Sequence, residues 1–97
     1  MQELSSKEQR FICLRQDRVY YGGMLLSYAL YTLSESMERK YTLCVTYDEE
    51  RATCEVGEDL LFAVDCYEVL LQGRVTPCSL TEVVDDLCYL NKKRGKF

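Results

Sequence analysis

The sequence predicts an α+β domain: an antiparallel meander of three or four strands, followed by two C-terminal helices packed on one sheet face. Three observations predict it. Between Tyr41 and Tyr47, Tyr41, Leu43, Val45 and Tyr47 alternate with Thr42, Cys44 and Thr46, the period of a strand rich in β-branched and aromatic residues. Residues 60–71 form a strongly apolar run that starts behind two acids and ends near a glycine. Residues 75–90 write out a helix start and then a buried stripe.

Taken in order, residues 9–16 read as a first strand, with Phe11 and Cys13 on one side and Ile12 and Leu14 on the other; Asp17, Arg18 and the segment Tyr20-Tyr21-Gly22-Gly23 interrupt it. Residues 25–35 fit two patterns. Leu26, Ala29, Leu30, Leu33 and Met37 make a helical stripe, while Tyr28, Leu30 and Thr32 against Ala29, Tyr31 and Leu33 make a strand covered on both faces. The neighbouring strand at 41–47 needs an antiparallel partner, which decides for strand. Residues 34–40 then form a polar connection, and Asp48-Glu-Glu-Arg51 a tight hairpin into a short strand at 52–56.

Glu58 and Asp59 fall in the first turn of the first helix, where they offset the positive end of its dipole. Its expected stripe is Phe62, Cys66, Val69 and Leu70, flanked by Leu61 and Val64, and Gly73 is placed to end it in a left-handed conformation. Pro77 ends what precedes the second helix. Ser79 can cap that helix, with Glu82 at the N3 position to complete a capping box. From 80 to about 90, Leu80, Val83, Val84, Leu87 and Cys88 share one face, and Glu82, Asp85, Asp86 and Tyr89 surround the other.

Ninety-seven residues with 47% hydrophobic side chains suit one domain, expected over residues 1–91, with a basic tail at 92–97. The tail holds four of the twelve basic residues, leaving the body with eight basic against sixteen acidic side chains, a net charge near −8. That sign repels phosphate backbones and argues against nucleic acid, although a tail that grips nucleic acid or an acidic protein is a third reading. The first ten residues lack the apolar core of a signal peptide, and no run reaches the eighteen or so apolar residues of a membrane span, so the expected location is cytoplasmic and no membrane partner is expected.

Cys13, Cys44, Cys54, Cys66, Cys78 and Cys88 lie ten or more residues apart, too sparse for a metal knuckle, and the chain has no histidine. They are expected to be free, mostly buried thiols, with disulfides or a metal as the alternative. Without histidine, Ser-His-Asp and Cys-His catalysis is excluded within one chain. No glycine-rich phosphate loop is present. No catalytic, cofactor-binding or metal residues are therefore assigned, and no cofactor.

Eight tyrosines exceed what so small a core holds with every hydroxyl partnered. Some are expected at the surface, where amphipathic aromatics are enriched at interfaces. Residues 52–90, with Val75-Thr76-Pro77 leading to Leu80 and Val83-Val84-Asp85-Asp86-Leu87, and more loosely the Tyr28 and Tyr41 strand pair, resemble a family of short clostridial proteins catalogued only as a domain of unknown function, number 6514. The resemblance implies a bacterial, cytosolic, small α+β domain and transfers no site.

The leading functional expectation is a non-enzymatic protein-interaction or regulatory module. Its partner is a protein, or a second copy through the tyrosine-bearing sheet or an exposed strand edge. Tyr28, Tyr31, Glu82, Asp85 and Asp86 are the expected contact residues. The alternative is a small-ligand protein or enzyme using the helix carboxylates Glu82, Asp85 or Asp86 in a cleft between sheet and helix.

Overall fold

The computed structural model describes residues 11–33 and 40–94. Four strands, β1 (Phe11–Tyr21), β2 (Met24–Leu33), β3 (Tyr41–Tyr47) and β4 (Glu50–Glu55), pair antiparallel in sequence order. Two helices follow, α1 (Leu60–Gly73) and α2 (Leu80–Arg94), joined through a single 3-10 turn at Pro77–Ser79. This is the expected meander with two C-terminal helices, and residues 25–33 are strand. The connection expected at 34–40 lies, except for Lys40, outside the described residues.

β1 is longer than the sequence suggested. It continues to Tyr21, and Gly22 and Gly23, at φ 62° and 86°, form the two-residue turn that a tight hairpin requires. A bulge at Leu14 shifts the pairing between Cys13 and Arg15. The expected alternation therefore reverses beyond it: Arg15, Asp17, Val19 and Tyr21 fall on the helix-covered side, while Leu14 is left exposed.

The core lies between the helices and one sheet face. Leu26, Tyr28 and Leu30 of β2 and Tyr41, Leu43 and Val45 of β3 meet Ala63, Cys66, Tyr67 and Leu70 of α1, with Leu80 and Val84 of α2. On α2 the stripe is the expected one, with Val83, Leu87 and Cys88 packed at its margin. On α1 it is rotated from expectation. Ala63 and Tyr67 are buried, whereas Val69 and Leu61 are exposed. Tyr67 can occupy the core because its hydroxyl donates to Asp17 Oδ2 at 2.7 Å and to the Tyr28 carbonyl at 3.3 Å.

The helix ends also differ from expectation by one chemical step each. Asp59 stands outside α1 as its N-cap, its Oδ1 accepting from the amides of Leu61 (3.0 Å) and Phe62 (3.3 Å), so no acid sits in the first turn. Arg74 rather than Gly73 adopts the left-handed conformation, at φ 53°, and its amide returns to the Leu70 and Leu71 carbonyls. Ser79 lies inside the 3-10 turn, with its amide bonded to the Thr76 carbonyl at 3.0 Å, so it is not the extended cap that a capping box needs. Proline occupies the first helical turn instead, where its missing amide costs nothing. α2 runs on to Arg94, past the end expected at about residue 90, so its last turn takes in Lys92.

Candidate interaction surface

Strand alternation assigns side chains to the sheet face that, among the described residues, carries no helix. The pairing register sets them in rows across the strands. Cys13, Tyr31, Thr42 and Glu55 form one row; Gln16, Ala29, Cys44 and Thr53 the next; Arg18, Ser27, Thr46 and Arg51 the third. Phe11 lies beyond the first row, and Tyr20 with Leu25 beyond the third.

The face is apolar at its two ends and small in the middle. Phe11 is 62% exposed, Tyr20 78% and Leu25 41%, whereas the central Ala29 and Cys44 are shaded by their taller neighbours. Phe11 and Tyr31 meet edge to face, with ring centroids 5.9 Å apart. Together with Thr42, Cys44, Arg51 and Thr53 they line a shallow depression of about 380 Å³. Arg51 leans over its floor, Nε donating to Cys44 Sγ at 3.4 Å. Among the described residues of this face the charged groups are Arg18 and Arg51 against Glu55, whose Oε2 lies 3.8 Å from Lys40 Nζ. An acidic protein thus turns a locally cationic face outward.

The opposite side of β1 is closed by a polar cluster. Arg15 Nη1 donates to Glu68 Oε2 at 2.6 Å, Nη2 lies 3.4 Å from Asp17 Oδ2, and the guanidinium stacks 4.6 Å from the Tyr67 ring centroid. Burial, and then the bond to Asp17, push the Tyr67 phenol above its ordinary range. These groups bind one another and clamp α1 to the sheet.

Of the five expected contact residues, one is misplaced. Tyr28 is 1% exposed, faces the helices, and donates its hydroxyl to the Val75 carbonyl at 2.9 Å, so it offers no surface to a partner. Burial raises its phenol to about 12. Tyr31 does stand on the open face. Glu82, Asp85 and Asp86 are exposed along α2, on the far side of the molecule from Tyr31. None of them lines the depression between the helices, which Phe62, Val69, Leu87 and Leu90 help to form. Among the described residues no group of three or more cysteines and acids is placed to hold a metal ion.

The six cysteines are free thiols, but only Cys44 and Cys66 are buried; Cys54 and Cys88 are half-buried, and Cys13 and Cys78 exposed. Burial pushes the Cys66 thiol up to about 12 and raises Cys54, the opposite of an activated nucleophile.

Arg18, Arg51, Leu25 and Tyr20 were not singled out from the sequence. The period-two run Arg51, Thr53, Glu55 opposite Ala52 and Cys54 carried the signal for β4; Arg18 was hidden by the bulge. The β1 edge is a poorer surface than the face. The bulge at Leu14 reverses alternation part-way along β1, so a second strand paired across it would set side chains from opposite faces against each other. No helix among the described residues is long and apolar enough to cross a membrane. No protein-family model, curated protein or solved structure matches this chain.

Proposed function

We propose that this chain is a non-enzymatic protein-interaction module whose docking surface is the open face of its sheet. The observation that carries this reading is the make-up of that face: Phe11, Tyr20 and Leu25 are exposed and Tyr31 half-buried on a side against which no helix among the described residues packs, while the two helices cover the other side. Exposed apolar surface rimmed by polar groups is characteristic of association sites. The carboxylates of the alternative reading fan along an exposed helix flank and share no cavity, which leaves the interaction reading favoured.

The test is site-specific photo-crosslinking in cells that make the protein. A photoreactive side chain at Ser27 or Thr46, on the open face, is expected to give discrete adducts, and one at Asp86 on α2 is not. Adducts from Asp86 alone, or none from the open face, would refute the assignment.

A further inference from the structure

The open face has a symmetry of its own, and from it we infer that its occupant is a second copy of this chain, docked face to face about a two-fold axis. The inference rests on the reading that this face is a docking surface. The axis lies in the plane between the sheets and runs across the strands through Gln16, Ala29, Cys44 and Thr53. Rotation about it lays each strand antiparallel over its own copy and exchanges the flanking rows.

That exchange brings unlike groups together. On β4, Arg51 and Glu55 lie two residues on either side of Thr53, so each Arg51 meets the partner's Glu55, twice per dimer. On β2, Tyr31 and Ser27 lie two residues on either side of Ala29, so each large ring covers a small side chain. Phe11, beyond one flanking row, meets the end that carries Tyr20 and Leu25. The axis row is low, with Ala29 and Cys44 each 6% exposed, which lets the taller rows on either side approach. Arg51 is ready for such a contact: its Nε is held by Cys44 Sγ, which fixes the guanidinium while its two terminal nitrogens keep the fork that suits a carboxylate.

Other arrangements are worse. An axis parallel to the strands would set the row of Arg18 and Arg51 against itself. The area is adequate for a modest dimer. Strands of 11, 10, 7 and 6 residues span roughly 500 Å² in plan at about 3.3 Å per residue and 4.8 Å between strands. Side-chain relief raises that toward the ~800 Å² that each partner contributes to a standard interface. Aligned sheet packing is an established geometry for two such faces.

Sedimentation equilibrium on the full chain tests the inference. The wild type is expected to show monomer–dimer exchange between about 1 and 100 µM, within the range of modest interfaces. Both Arg51→Glu and Glu55→Arg place like charges at two contacts and are expected to weaken the dimer roughly tenfold or more. The double variant R51E/E55R reverses both signs and is expected to return the dissociation constant to near wild type, a rescue that a folding defect would not give. A monomer at every concentration, or a dimer indifferent to all three variants, overturns the inference. A monomer accompanied by open-face adducts to a different protein overturns the second copy alone; no open-face adducts at all overturns the docking surface as well.

Discussion

Removing the Tyr67 hydroxyl is the most informative single perturbation of the fold. Tyr67→Phe deletes one oxygen from a fully buried side chain and leaves the ring in place, with its edge-to-face contact to Tyr28 at 6.4 Å and the Arg15 guanidinium at 4.6 Å. The main bond lost is the 2.7 Å donation to Asp17 Oδ2, and the longer 3.3 Å approach to the Tyr28 carbonyl goes with it. Hydrogen bonds to a charged acceptor contribute about 1.5–3 kcal/mol. Asp17 keeps its 3.4 Å pair with Arg15 and is 37% exposed, so water replaces part of what is lost and the lower end applies, about 1.5 kcal/mol. With a urea slope near 1 kcal/mol per molar, as for small domains, the midpoint should fall by about 1.5 M at unchanged slope. Tyr28→Phe removes a bond to a neutral carbonyl and should cost less, about 1 kcal/mol. A loss below about 0.5 kcal/mol for Y67F, or a loss smaller than that of Y28F, would refute the claim that the Asp17 bond clamps α1 to β1.

The remaining predictions concern helix ends, a turn and alkaline pH. Asp59→Ala should cost about 1 kcal/mol in thermal or urea unfolding, whereas Ser79→Ala should cost almost nothing; equal losses would restore Ser79 as a cap. Gly22→Ala should destabilise by roughly 1–2 kcal/mol, because a Cβ there stands 3.1 Å from the Tyr47 hydroxyl on a backbone at φ +62°; an unchanged melting temperature would refute the close approach. Tyr28 is held neutral in the folded state, its phenol raised from 10.0 to about 12, and Cys66 is raised from 9.0 to about 12. The stability they contribute is complete below the unfolded values and lost as pH climbs toward 12, about 2 kcal/mol from Tyr28 alone. Urea midpoints that stay flat from pH 8 to 12 would contradict it.

The strands and the α2 stripe were legible because each carries a repeated signal. Tyr41 to Tyr47 alternates for seven residues, and Leu80, Val83, Val84, Leu87 and Cys88 recur over three turns. The errors fall where one residue overrides a pattern. The bulge at Leu14 reversed the faces of β1, and no local residue type announces it. Tyr67 lies outside the apolar stripe that the spacing predicts for α1, and its partner Asp17 is fifty residues away in sequence. Asp59 and Ser79 both belong to the set of good caps, but each can cap its own helix only where the backbone is extended: Asp59 is, whereas before α2 the extended residue is Thr76, upstream of Pro77. The open face was half legible. Tyr31 was named from its residue type, while Arg51 and Glu55 acquire meaning only from the register that sets them on either side of Thr53.

The central claim, that two copies meet through this face in one defined orientation, is most directly tested by mixing two chains that should each be unable to self-associate. The R51E chain carries an acid at both contact positions of β4, and the E55R chain carries a base at both. Native mass spectrometry of R51E alone, E55R alone and an equal mixture is predicted to give monomers, monomers, and a heterodimer in which the two acids of one chain meet the two bases of the other. Dimers in either single variant, or no heterodimer in the mixture, would contradict it.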